Sequence, residues 1–233
     1  MNVIISGATK GIGWAIAEKF AAEGANVALC ARNEEDLKTC KASLEERFPK
    51  IKVLCKTCDV SKKEEVLAFA DFVLSHWKKI DGLINNAGVF LPGAIHEEED
   101  GALEKQINTN LYSAYNLTRR LLPTMMEAKA GHIFNMCSIA SKVAYPNGGS
   151  YSISKFALLG FSKVLREELK EQGIKVTAIL PGATWSNSWA GVDLPESRLM
   201  QAKDIAKAVW SAYQMEPSAV VEEIIIRPQL GDL

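Results

Sequence analysis

Short apolar runs alternate with longer segments of helical period along nearly the whole chain. The runs fall at 2–6 (NVIIS), 26–30 (NVALC), 51–56 (IKVLCK), 82–85 (GLIN), 132–137 (HIFNMC), 174–180 (IKVTAIL) and 222–227 (EEIIIR). Isoleucine, valine and leucine fill them almost continuously, as in strands covered on both faces of a parallel sheet. Between them, periodic segments predict helices near 12–23, 34–47, 62–77, 99–128, 151–172 and 203–215. Strand–helix alternation of this kind builds right-handed crossovers. The expected fold is α/β: a Rossmann-type, doubly wound, seven-stranded parallel sheet with helices on both faces. No linker, repeat or low-complexity stretch interrupts the alternation, so residues 1–233 are expected to form one domain.

That architecture says where to look for chemistry. In an open α/β sheet, ligands bind beyond the carboxyl ends of the strands, near the point where strand order reverses. Directly after the first run stands SGATKGIG. Gly7, Gly11 and Gly13 permit a tight turn and close backbone approach, and the next helix offers free N–H groups to a pyrophosphate. The spacing is G-x-x-x-G-x-G, and Thr9, Lys10 and Ile12 lie inside the same turn. After the second run, the place of the acidic residue that holds an NAD ribose is taken by Ala31 and Arg32. Two cations, Arg32 and Lys10, and no carboxylate suit a 2′-phosphate, so NADP(H) is expected in preference to NAD(H).

Composition narrows the class without adding a site. A net charge of −1 and no basic block give no support to a nucleic-acid partner. No apolar run approaches the roughly 20 residues of a membrane helix, and MNVIISG has no signal-peptide pattern, so a cytoplasmic location and no membrane partner are expected. Of five cysteines, Cys55 and Cys58 form a CxxC, but among only three histidines no further ligand spacing appears; no metal is expected. Tyr151 and Lys155 form the chain's only Tyr-x-x-x-Lys pair, one helical turn apart.

These residues, taken in order, resemble the short-chain dehydrogenase/reductases. The resemblance rests on SGATKGIG, CDV at Asp59, NNAG at 85–88, INTN at 107–110, NMCS ending at Ser138, YSISK at 151–155 and PG at 181–182. It implies Tyr151 as general acid towards a substrate carbonyl, with Lys155 as the cation that tunes it and holds the nicotinamide ribose. Ser138, thirteen residues before the tyrosine, would bind the developing oxyanion, and Asn110 would hold a proton-relaying water. By the same resemblance Asp59 and Val60 meet the adenine, Asn86, Ala87 and Gly88 line the nucleotide's path, and Pro181, Gly182 and Ser186 flank the nicotinamide.

The implied activity is hydride transfer between NADP(H) and a small-molecule carbonyl or alcohol, foremost reduction of a 3-oxoacyl compound or other ketone. A dehydrogenase of small 3-hydroxy acids is the alternative, suggested by the ending IIIRPQLG; a non-catalytic NADP(H) sensor is a third reading. The segment 183–203, with Trp185, Trp189 and Leu194, is expected to act as a lid. Arg198 and Lys203 are the nearest cations for a substrate carboxylate, and Arg119, Arg120 and Lys129 for an acyl carrier. Helices 99–128 and 151–172 are expected to pair in a homodimer or homotetramer.

Overall fold

The computed structural model describes residues 1–185 and 195–231. Seven strands, β1 (Asn2–Ser6), β2 (Asn26–Ala31), β3 (Val53–Thr57), β4 (Gly82–Asn85), β5 (Gly131–Met136), β6 (Ile174–Pro181) and β7 (Glu223–Ile226), form one sheet. All are parallel, in the order β3-β2-β1-β4-β5-β6-β7. The order reverses between β1 and β4, and that crevice is the topological switch point.

Alternation along each strand feeds two cores. Val3 and Ile5 of β1 face one layer with Phe20 of α1 (Gly11–Ala22), Leu37 and Leu44 of α2 (Glu34–Arg47) and Val209 of α7 (Ala202–Tyr213). Ile4, between them, faces the other layer. There Phe69 and Val73 of α3 (Lys63–His76), Leu117 and Leu121 of α5 (Ser113–Ala128) and Leu165 of α6 (Gly149–Leu169) close the core. Both faces of the sheet are therefore covered, which is why its strands read as unbroken apolar runs.

Two expected boundaries are corrected. The third strand begins at Val53, not at residue 51, because Ile51 sits in the turn leaving α2. The long helix expected over 99–128 is three pieces: α4 (Ala102–Ile107), a π-helical turn over Asn108–Tyr112, and α5. Gly101, at φ 86°, holds the left-handed turn that starts α4 three residues after the expected beginning. Apolar spacing alone does not show a π turn, since it adds one residue to a single turn and leaves the flanking stripes helical.

One buried histidine gives the fold a measurable acid sensitivity. His132 Nε2 lies 2.7 Å from Thr177 Oγ1, and Thr177 donates its own proton to the Val221 carbonyl. Nε2 must therefore carry the imidazole proton, and Nδ1 is buried without a partner. Burial, with Lys175 nearby, pushes the imidazole down to about 3. The unfolded chain takes up this proton near pH 6.5 and the folded one does not, so stability falls as pH drops from 6.5 towards 3. This group alone contributes a slope of about 1.4 kcal/mol per pH unit in that window. Urea unfolding of His132→Gln between pH 6 and 4 is expected to show a slope shallower by about that amount; an unchanged slope contradicts the assignment.

Candidate active site

Because the strands are parallel, every strand end named in the sequence arrives at one edge of the sheet. At the switch point, the Ser6 hydroxyl accepts hydrogen bonds from the backbone N–H groups of Asn86 and Ala87, each at 3.1 Å. Asn86 Nδ2 donates in return to the carbonyls of Ser6 (3.0 Å) and Gly7 (2.9 Å). These contacts lock the glycine turn to the end of β4. They leave no room for side chains: a Cβ on Gly7, whose φ is 66°, would lie 2.9 Å from Ala87 Cα, and one on Gly13 would overlap Asn86 Nδ2. No side chain caps α1 at Lys10, so the N–H groups of its first turn are left for another acceptor. A backbone cradle backed by glycine and opened at a helix N-terminus fits a pyrophosphate.

The ribose end is more divided than the sequence suggests. Arg32 is exposed, and its charge helps hold Asp59 below the ordinary carboxylate range. Burial is the largest influence on Asp59 and opposes ionisation, but two hydrogen bonds from Ser61 with the charges of Arg32 and Lys62 outweigh it. Lys10 is paired with Asp36 at 2.9 Å. Of these two cations, Arg32 makes no ion pair with the described residues, while Lys10 shares its charge with Asp36.

The chemistry-bearing groups converge past β5. Ser138, two residues past the strand, caps the short 3₁₀ turn Ile139–Ser141, its hydroxyl accepting from Ala140 N–H at 3.2 Å. That hydroxyl also faces the Tyr151 phenol and favours its ionised form. Tyr151 is the third residue of α6, which starts at Gly149. Lys155, one turn on and 4% exposed, donates to the Met136 carbonyl at 2.8 Å, its Nζ 5.7 Å from the Tyr151 ring centre. Gly88 closes the group: a Cβ there would lie 3.3 Å from Asn110 Oδ1 and 3.5 Å from Lys155 Nζ. The segment after β4 and the Tyr–Lys pair therefore share one wall.

Burial pushes the Tyr151 phenol above its ordinary value, the Ser138 hydroxyl opposing it. Burial also pushes the Lys155 ammonium down to about 8, with Cys137 opposing. The tyrosine is consequently protonated at neutral pH, the form that can give a proton away.

Asn110 lies at the middle of the π turn, wholly buried. Its Oδ1 accepts from Val89 N–H at 2.7 Å, and its Nδ2 donates to the Val89 carbonyl (3.0 Å) and Ser154 Oγ (2.8 Å). Four residues earlier, the equally buried Gln106 repeats the pattern on Leu91, accepting at 3.1 Å and donating at 3.4 Å. Four residues of helix rise about 6 Å and two of strand about 6.6 Å, so the two amides meet alternate residues of the extended 89–91 segment. Phe90 is held between them, its ring 4.8 Å from that of Tyr151 at 74° and its surface 40% exposed. Neither Gln106 nor Phe90 stands out in the sequence: Gln106 sits in the charged run ALEKQI, where a polar side chain is expected to face water.

Pro181 ends β6, and the N–H of Gly182, the next residue, donates to the Ile226 carbonyl at 2.7 Å. Ser186, Trp189 and Leu194 lie outside the described residues. The flanks of the expected lid are joined at its base, where Trp185 N–H donates to the Met200 carbonyl (2.8 Å) and Met200 N–H to Ala183 (3.1 Å). Three of the candidate substrate cations are engaged elsewhere: Arg198 donates to the Gly231 carbonyl, Arg120 pairs with Asp71, and Arg119 stacks on Tyr115. No group of three or more potential metal ligands occurs among the described residues.

The family model for short chain dehydrogenases matches residues 1–195. The chain is a short-chain dehydrogenase/reductase. Among proteins to which this reductase-family chain is similar, a sepiapterin reductase of Chlorobaculum tepidum is 34% identical, covering 99% of this chain and 97% of its own length. A metagenomic short-chain oxidoreductase in complex with NADP superposes with a TM-score of 0.86 at 31% identity, over 98% of this chain and 97% of that one. An actinorhodin polyketide ketoreductase variant with NADPH gives 0.89 at 28% identity, over 100% and 97%. As a member of this family, the short-chain dehydrogenase/reductase described here is an oxidoreductase that uses a nicotinamide cofactor.

Proposed function

We propose that the chain is an NADPH-dependent reductase of ketones or aldehydes, 3-oxoacyl compounds among them. The observation that carries this reading is the convergence of Ser138, Tyr151 and Lys155 with Gly88, where the switch point meets the end of β5. NADPH, when bound, would supply a hydride for the carbonyl carbon. Tyr151 gives its proton to the carbonyl oxygen, and the Ser138 hydroxyl steadies that oxygen as charge grows on it. Lys155 holds the ribose and, as a buried cation near the phenol, eases its transient ionisation. The Asn110 amide is fixed by Val89 and Ser154, and this residue would hold the relay water. Gly7, Thr9, Lys10, Gly11, Ile12 and Gly13 would hold the pyrophosphate, Arg32 the 2′-phosphate, Asp59 and Val60 the adenine, and Pro181, Gly182 and Ser186 the nicotinamide.

Reduction is favoured over oxidation of small hydroxy acids, because Arg198, the nearest described cation after Pro181, is tied to Gly231. Two relatives are named for reductions, a sepiapterin reductase and a polyketide ketoreductase, whereas two similar structures are of serine dehydrogenases, the class of the alternative. The retained Tyr–Lys pair argues against a non-catalytic sensor. Exposed Tyr112, Tyr115, Ile153, Phe156 and Val164 on the π turn, α5 and α6 support pairing of these helices in a homodimer or homotetramer. NADPH consumption measured against a panel of carbonyl compounds tests the reading; binding of NADPH with no turnover on any of them contradicts it.

The half-exposed Phe90 ring gives the substrate pocket an apolar wall. In Phe90→Ala, KM for an aryl ketone is expected to rise by about tenfold, the cost of one lost aromatic contact of roughly 1.5 kcal/mol. The NADPH dissociation constant is expected to hold. An unchanged KM across aryl and aliphatic ketones removes Phe90 from the substrate's path.

A further inference from the structure

We propose that Glu98 is a positioning residue for the proton donor, a cap supplied from outside the helix that carries Tyr151. The proposal rests on the reading of Tyr151 as general acid. Helix α6 has no cap of its own: Gly148 stands at its N-cap and offers no side chain. The first turn is instead met by Glu98, 52 residues upstream, whose Oε1 accepts the Ser150 N–H at 2.7 Å. Its Oε2 accepts the Ser150 hydroxyl. A carboxylate at that end also faces the positive pole of the helix dipole.

The approach is built into the backbone on both sides. Gly149, at φ 23°, lies so close to Glu98 Oε1 and the Gly93 carbonyl that a Cβ there would overlap both. A Cβ on Gly93 would lie 2.8 Å from Glu98 Cγ, and Gly93 N–H donates to the Asn147 carbonyl at 3.0 Å. Asn147 itself takes a left-handed φ of 62°. Two glycines and a left-handed asparagine thus shape a seat for one carboxylate, and Ser150, which it grips with both oxygens, is the residue before Tyr151.

The consequence is mechanical. The wall after β4 is fixed at Val89 and Leu91 by Asn110 and Gln106, and at its far end by Glu98. Glu98 therefore makes the wall and the first turn of α6 one unit, and sets where the phenol stands against a carbonyl. A proton donor displaced by a fraction of an ångström loses rate rather than affinity.

Three chains, wild type, Glu98→Ala and Glu98→Gln, would be compared for kcat on one carbonyl substrate, for its pH profile, and for NADPH dissociation constant by fluorescence titration. Glu98→Ala is expected to lose about tenfold or more in kcat with the NADPH constant unchanged. Glu98→Gln keeps an acceptor for the N–H and a donor for the hydroxyl, so its kcat and pH profile are expected to follow wild type. Should Glu98→Ala fail to fold, Ser150→Ala severs the hydroxyl contact alone and is expected to lower kcat in the same direction. A Glu98→Ala enzyme with wild-type kcat overturns the proposal, as does a Glu98→Gln enzyme as slow as the alanine variant. Wild type inactive on every carbonyl while binding NADPH sinks the reductase reading and this proposal together; an active wild type indifferent to position 98 sinks the clamp alone.

Discussion

Tyr151→Phe is expected to lower kcat/KM for carbonyl reduction by about 10²–10⁴-fold, the range supplied by a positioned general acid, while leaving NADPH binding intact. The substitution removes one oxygen and keeps the ring that packs against Phe90, so the wall of the site stands. What disappears is a proton held in place by burial: the phenol is pushed above its ordinary value, and at neutral pH it is a full donor. The same electrostatics set the pH profile of the wild type. Lys155, pushed down to about 8 by burial, loses its charge as pH rises through that value, well before the phenol ionises. The basic limb of kcat/KM for reduction is therefore expected near pH 8, reporting the lysine. A steady-state comparison of the two chains from pH 6 to 10 checks both statements; a variant within about threefold of wild type would remove Tyr151 from the chemistry.

Arg32→Ala is expected to weaken NADPH far more than NADH. A guanidinium paired with a phosphate contributes about 1.5–3 kcal/mol, so KM for NADPH should rise by about 10–150-fold. KM for NADH, which has no phosphate for this group to lose, should stay within about threefold. The effect falls mainly on Arg32 because Lys10 is shared with Asp36. Asp36 also defines the limit of the preference: a carboxylate this close to the phosphate end tempers the pull of the two cations. Titration of wild type with both cofactors checks the premise, and equal affinity for NADH and NADPH contradicts it.

The parts of the molecule legible in the sequence are those whose physics is local or repeated. Strands covered on both faces must be apolar throughout, so β1, β2 and β6 announce themselves. Gly7 and Gly13 serve backbone contacts that nothing larger permits, and the Tyr–Lys pair needs only one helical turn. What stayed hidden depends on segments meeting in space. Gln106 reads as a surface residue among Glu104 and Lys105, yet it is wholly buried because the chain after β4 offers it Leu91. Glu98 lies in the run HEEED, where nothing separates the acid that caps α6 from three that face water. The π turn, which carries Asn110 inward, leaves the apolar stripes on either side unaltered. The sequence pattern also pairs Lys155 with Tyr151, but does not show that the lysine ammonium donates to the Met136 carbonyl.

The central claim is that this chain reduces a carbonyl with NADPH, with Tyr151 delivering the proton. The most direct measurement follows the label: NADPH deuterated at the transferred position is incubated with wild type or Tyr151→Phe and a panel holding a 3-oxoacyl thioester, an aryl ketone and an aliphatic ketone. The alcohols are then weighed by mass spectrometry. The expected result is one deuterium in at least one alcohol with wild type, and transfer slowed by about 10² or more with Tyr151→Phe at unchanged NADPH affinity. Bound NADPH with no labelled alcohol from any substrate, or transfer at the wild-type rate without the phenol, would contradict it.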